Sequence, residues 1–302
     1  MTGSLENSLR YFATVLFRAV HPALEYCLFI QYFSVYAELH CLSHYTFLRG
    51  ASAPDELVGR AVTCGYHALA ITDECSLAGV VKAHVAAKEL GLKLIIGSEL
   101  TLTEGIRLVA LVPNREAYGE LSGLISRARR RTSKGKYTVH LRDVIFHLKR
   151  CLLILLPDDT DNQNVYLQQL ARLCKDRVWI GISRLLGNDE WRRFKHRYHI
   201  AQTLQVPMVA CGEVQMHSAK RKALHDVLTA IRTQVPVQQL GQRRLINSQQ
   251  HLRTLDAIAS LYPETLITET RHIADRCQFS LDELRYEYPE EVVPSHLSLI
   301  HI

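Results

Sequence analysis

A chain of 302 residues and 34.4 kDa, with 47% hydrophobic and 22% charged residues, has the make-up of a soluble globular protein and the length for one large α/β domain plus a small second one. Its formal charge of +6 permits nucleic-acid contact without demanding it. The eight cysteines stand singly, with no CxxC pair, so their spacing suggests neither a zinc ribbon nor a disulfide framework and fits buried thiols in a reducing cytoplasm.

Residues 1–35 read as an extra N-terminal segment. The most apolar early run, Tyr26 to Ala37, is about twelve residues long, whereas a membrane-spanning helix needs roughly 20. No membrane association and a cytoplasmic location are therefore expected.

From Glu38 the chain alternates short apolar runs with amphipathic ones. The spacing predicts a helix over Asp55–Cys64, started by Pro54 and stopped by Gly65. A strand follows over His67–Thr72, then a helix over Ser76–Leu90 that ends at Gly91. Leu92–Gly97 and Arg107–Val112 read as the next strands and Asn114–Arg127 as the next helix. The run from Arg127 to Lys136, dense in arginine and lysine, reads as a solvated loop rather than a dedicated nucleic-acid contact. Strands at Leu152–Leu156, Val178–Ile182 and Pro207–Cys211 alternate with helices at Asp161–Lys175 and Glu190–Leu204. Asp158, Asp159 and Asp161 form an acidic group expected to cap the Asp161 helix. Such Val-, Ile- and Leu-rich runs are typical of buried parallel strands, and repeated β-α alternation argues for βαβ units in a barrel or an open sheet.

After Cys211 the strands stop. Lys220–Arg232 carries Leu224, Val227, Leu228 and Ile231 at helical spacing. A second helix is expected after Ser248, with Leu252 and Leu255 inward, and a third from Pro263 to about Cys277. The fold class expected is α/β, a barrel over 36–218 followed by a helical annex over 219–294.

In βα-barrels the polar residues that follow each strand line the active-site mouth. Here these are His40, Ser43, His44 and Arg49, then Asp73 and Glu74, then Glu99, with Arg107 opening the next strand and Glu213, Gln215 and His217 after the last. Histidine with several carboxylates suggests a metal-dependent hydrolase. Arg49 and Arg107 argue against it, because a cation beside a divalent cluster repels the metal. His84, His147 and His225, like His44, read as ordinary surface or helix histidines.

The segment AELHCLSHYTFLRGASAPDELVGRAVTCGYHALAITDECSLAGVVKAH, together with DVLTAIR through CQFSLDELRYEYPEE, resembles the N-terminal region of error-prone C-family DNA polymerases. The likeness covers about 260 of the 302 residues. It implies a PHP (polymerase and histidinol phosphatase) domain, a distorted seven-stranded β/α barrel whose relatives hold a trinuclear metal site. The chain is then expected to end before the palm that carries the polymerase aspartates, with 295–302 (SHLSLIHI) departing from the family pattern.

Position by position, the family's His-x-His-Ser reads His40-Cys41-Leu42-Ser43 here, its loop Asp is Arg49, and its Thr-Asp-His is Thr72-Asp73-Glu74. Gly-x-Glu survives as Gly97-Ser98-Glu99, the next histidine is Arg107, and the closing Asp-x-His is Glu213-Val214-Gln215, with His217 out of register. His40 and Glu99 remain as metal-ligating positions, with Asp73 behind them. No catalytic residue and no cofactor are expected here. Zinc or manganese are the ions such sites hold, and magnesium belongs to the whole polymerase, a DNA-directed nucleotidyltransferase of translesion synthesis and DNA repair. DNA and replication or translesion accessory proteins are the partners implied. Arg49 and Arg107 are expected to replace the metal charge by pairing with Asp73, Glu74 or Glu99. A stand-alone PHP-type phosphoesterase is the competing reading, and a non-catalytic binding protein built on the barrel a third.

Overall fold

A computed structural model describes residues 36–158 and 163–285. Seven strands lie in one sheet in chain order: β1 Ala37–Glu38, β2 Ala68–Ile71, β3 Lys93–Thr101, β4 Arg107–Leu111, β5 Leu152–Leu156, β6 Val178–Ile182 and β7 Met208–Ala210. β5 and β6 are buried at every position. Unbroken apolar runs such as LLILL and VWIGI demand this, since both faces of a strand covered by helices must be apolar.

Most neighbours pair in parallel, but β4 is antiparallel to both β3 and β5. The expectation of a parallel strand at Arg107–Val112 is corrected here. Only 102–106 separate β3 from β4, and a parallel crossover needs a dozen residues or more. Gly105, at φ +83°, turns this hairpin. The sheet curls until its two ends meet. Closure comes from a single parallel bridge, Cys41 to Val214, rather than a continued ladder. The Leu42 amide donates to the Val214 carbonyl at 2.8 Å, and the Val214 amide donates to the His40 carbonyl at 3.0 Å.

The helices are α1 Pro54–Thr63, α2 Val80–Leu90, α3 Arg115–Arg130, α4 Leu141–His147, α5 Asn164–Leu173, α6 Glu190–Leu204, α7 Lys222–Thr233, α8 Leu255–Leu261 and α9 Glu264–Arg276. α2 starts at Val80 rather than Ser76. α4 has no counterpart in the sequence reading. The Asp143 carboxylate at its third position accepts from the His140 amide and secures its start. α3 runs on to Arg130, so the basic run is partly helix rather than a solvated loop. Arg127 contacts His147, Arg129 donates to the carbonyls of Glu74 and Cys75, and Arg131 pairs with Asp143. Asp159 and Asp161 lie outside the described residues, and Gln163 precedes α5.

An inner core collects alternate strand residues, among them Ala70, Ile95, Val109, Ile154 and Val209. α9 packs into this same cluster with Ile273, Ala274 and Cys277. Thr270 of α9 accepts the Ala37 amide at 3.0 Å, and Glu269 accepts the Trp179 indole N–H at 2.7 Å. The last helix is therefore part of the barrel's packing. α7 buries His225, Thr229 and Ala230, whereas Leu224, Val227 and Ile231 of the apolar stripe face outward. All seven cysteines in the described residues are free thiols, and six of them are buried. No helix among the described residues is long and apolar enough to cross a membrane.

Candidate functional site

The segments after β1, β2 and β7 converge with Glu99 of β3 and the start of β4 on one charged cluster. His40 and Glu99 are both buried, and His40 Nε2 donates to Glu99 Oε2 at 2.7 Å. Arg49 donates through Nη1 to the other oxygen, Glu99 Oε1, at 2.8 Å, and also contacts Glu74. Arg107 lies with Nη1 3.7 Å from Glu99 Oε2 and donates through Nη2 to Glu213 Oε2 at 3.0 Å. Both arginines are thus within ion-pair reach of the carboxylates, the arrangement expected if guanidinium groups stand in for metal charge.

The surrounding fold fixes each member. Arg49 sits at the end of a tight loop over 43–50, where a Cβ on Gly50 would fall 1.9 Å from the Ser43 carbonyl oxygen. Only glycine allows that approach. Asp73 holds the start of the same loop. Its carboxylate accepts from the Ser43 amide at 2.8 Å, the Ser43 hydroxyl at 2.7 Å and the Thr46 hydroxyl at 2.7 Å. Asp73 is a loop anchor and not a partner of either arginine, which corrects that part of the pairing expectation.

Four members of the cluster were not singled out from sequence as its pairing partners. Glu213 bridges two arginines, Arg107 and the buried Arg197 of α6, the latter at 3.7 Å. Ser183 donates to Glu213 at 2.7 Å. Tyr137 donates to Glu74 at 2.8 Å. Arg197 also donates to the carbonyls of Pro157 and Gly181 and to the Ser183 hydroxyl. No sequence signal separates Arg197 from the basic residues beside it on α6. The family's last His position, Gln215, accepts from the buried His225 at 2.6 Å. His217 is turned away and contacts Ser52.

The electrostatics follow from burial and pairing. Burial pushes the Glu99 carboxyl up, but His40, Arg49 and Arg107 outweigh it and hold the group down at about 2. Glu213 is likewise depressed despite burial, by Arg107 and Arg197. Arg107 is raised, chiefly by Glu213. Burial pushes Asp73 up, and its hydrogen bonds offset this only in part. His225, desolvated inside α7, is lowered to about 4.

This donor set does not fit a metal ion. Both oxygens of Glu99 face cations or a histidine N–H, and the Leu42 side chain is apolar and buried. Among the described residues no group of three or more His, Cys, Asp or Glu is arranged to hold a metal. A zinc site needs about four donors around each ion, and here guanidinium groups occupy that space.

The PHP domain family matches residues 38–175. Curated relatives include the error-prone DNA polymerase of Saccharophagus degradans, 53% identical over 266 residues, and that of Teredinibacter turnerae, 49% identical over 265 residues. Each alignment takes in 88% of this chain and 26% of the relative, in its N-terminal region. The chain therefore spans about a quarter of the length of the curated relatives it matches. Among solved structures, an amidohydrolase from Chromobacterium violaceum with bound sulfate and no metal superposes with a TM-score of 0.45 at 15% identity, over 60% of this chain and 87% of that one.

Proposed function

This chain belongs to the family of error-prone DNA polymerases, as the counterpart of their N-terminal PHP region, and on that premise we propose that it is a non-catalytic structural module of such a polymerase. Its task is to brace the polymerase's catalytic domain and to work beside DNA. The reaction it serves is error-prone DNA synthesis in DNA repair, in the cytoplasm, with replication or translesion accessory proteins as further partners.

One observation carries the non-catalytic reading. Glu99, the carboxylate the family pattern keeps for metal, is held by His40 and Arg49 and faced by Arg107. His40, Glu99 and Asp73, the residual metal positions, then act as a charge-balanced brace that needs neither zinc nor manganese. A stand-alone phosphoesterase would need donors at Leu42, Arg49, Arg107 and Gln215, and these side chains supply none in the family's pattern.

The test is a metal-stripped chain resupplied with zinc or manganese and assayed on a phosphomonoester and on 3′-recessed DNA. No metal-dependent turnover and no nucleotide incorporation are expected. Turnover that His40→Ala abolishes would establish the phosphoesterase reading instead.

A further inference from the structure

α6 carries an aromatic row whose middle ring, Phe194, packs partly against the core while Trp191 and Tyr198 on either side of it stand open. Trp191, Phe194 and Tyr198 stand at i, i+3 and i+7, on one face of the helix. Trp191 and Phe194 are stacked, with centroids 5.5 Å apart and planes 10° apart, and Phe194 and Tyr198 are stacked at 6.3 Å and 23°. Trp191 is 61% exposed and Tyr198 46%. Leaving an indole so open forgoes more apolar burial than almost any other residue could provide.

Cations frame the row. Lys195 Nζ lies 5.3 Å from the Trp191 ring centroid, and the Arg184 guanidinium lies 5.9 Å from that of Phe194. Arg192 is exposed, with one guanidinium nitrogen 3.7 Å from the exposed Asp189 carboxylate. Arg193, two residues on from Trp191, lies on the other side of the helix, beside Gly187 of the loop that leads into it. Arg197, on the flank of the helix that meets the barrel, reaches into the charged mouth, so the helix that carries the row also helps close the site.

We propose that the outer face of α6 is a docking surface for single-stranded DNA. Bases stack on Trp191 and Tyr198, and Arg192 and Lys195 take the phosphates. Ring faces accept any base, and ammonium and guanidinium groups beside them complement the backbone charge, which is the chemistry of sequence-tolerant single-strand binding. From Trp191 to Tyr198 the helix rises about 10 Å. That is room for about three bases at stacked spacing. A duplex hides its base faces and cannot use the row. An apolar protein partner fits poorly, because Lys195 and Arg184 lie against the rings. The choice of DNA over RNA rests on the polymerase reading above; the stacking and charge do not.

The test uses the whole chain and a short single-stranded oligothymidylate. Of the two tryptophans, Trp179 is buried and bonded to Glu269, so quenching of tryptophan fluorescence reports Trp191. Expected are quenching on binding and an affinity that falls with salt at a log–log slope of about −1.4, near −0.7 for each of two phosphates. Trp191→Ala weakens binding by about 5- to 100-fold. The Arg192→Ala, Lys195→Ala double variant flattens the slope to near zero. Both sites are exposed, so the fold is retained, and circular dichroism checks it. Arg130→Ala with Lys134→Ala, on the other basic segment, leaves affinity within twofold. Equal binding by wild type and Trp191→Ala would overturn the proposal, as would equal binding of duplex DNA. Tighter binding of oligouridylate would overturn DNA as the occupant. Metal-dependent hydrolysis would sink the non-catalytic reading and leave this surface untouched, so the two fail separately.

Discussion

Arg107→Met is expected to destabilise the fold by about 3 kcal/mol, because it leaves buried carboxylates without their counter-charge. Arg107 is the cation that links Glu99 to Glu213, at 3.7 and 3.0 Å, and the Glu99 side chain is 0% exposed. Methionine fills much of the volume but supplies no charge, so the loss measures electrostatics more than packing. Arg107 itself is 22% exposed, and water entering at that side keeps the cost at the lower end for a broken buried pair. Urea unfolding monitored by circular dichroism measures it. Glu213→Gln added to Arg107→Met should restore part of the loss, with a coupling of roughly 1–3 kcal/mol, since it removes one of the stranded charges. A cost under about 0.5 kcal/mol, the size of an ordinary surface change, would mean that Arg107 does not neutralise the mouth.

Acid is expected to unfold the chain through the same cluster. Glu99 is held at about 2 in the fold, against an ordinary value of 4.5. The folded carboxylate thus refuses a proton that the unfolded one accepts. Its contribution is complete above the unfolded value and is lost as pH falls from about 4.5 towards 2. The size for Glu99 alone is about 3 kcal/mol. Glu213 acts in the same direction. His225, lowered to about 4 from 6.5, also favours the fold at higher pH, and its share is lost between those values as pH falls. Asp73 and Glu38, raised by burial, oppose the trend and soften it. Urea midpoints at pH 7, 5 and 3 should therefore fall progressively, and fall less between 5 and 3 in Glu99→Gln. A flat profile from 5 to 3 would contradict the buried pairing of Glu99.

The strand and helix pattern was legible wherever local chemistry decided it. Leu152–Leu156, Val178–Ile182 and Glu190–Leu204 have the bounds expected from sequence, because unbroken apolar runs and a long amphipathic stretch leave little choice. The parallel direction expected for Arg107–Val112 failed, although the short 102–106 link before β4 already excluded a parallel crossover. The spacing of α7 marked an apolar stripe, and the structure leaves Leu224, Val227 and Ile231 of it exposed while the helix buries His225, Thr229 and Ala230. Spacing shows that a helix is two-faced but not which face meets the protein.

At the site, the replacement of ligands by Arg49 and Arg107 was readable from the resemblance, and their pairing with Glu74 and Glu99 was anticipated. The division of labour among carboxylates was not. Asp73 turned out to anchor the loop, while Glu213, read only as a lost ligand, became the hub between Arg107 and Arg197. That outcome depends on which side chains reach across the barrel, over separations of 106 residues for Arg107 and Glu213. No local pattern encodes such a reach.

The central claim, that guanidinium charge has taken the place of metal charge at the barrel mouth, is tested most directly by equilibrium dialysis. The stripped chain is dialysed against zinc and against manganese, and bound metal is read by elemental analysis beside a His40→Ala control. The expected result is far less than one ion per chain, the same with and without His40. Stoichiometric metal on the wild-type chain, lost in His40→Ala, would contradict the claim.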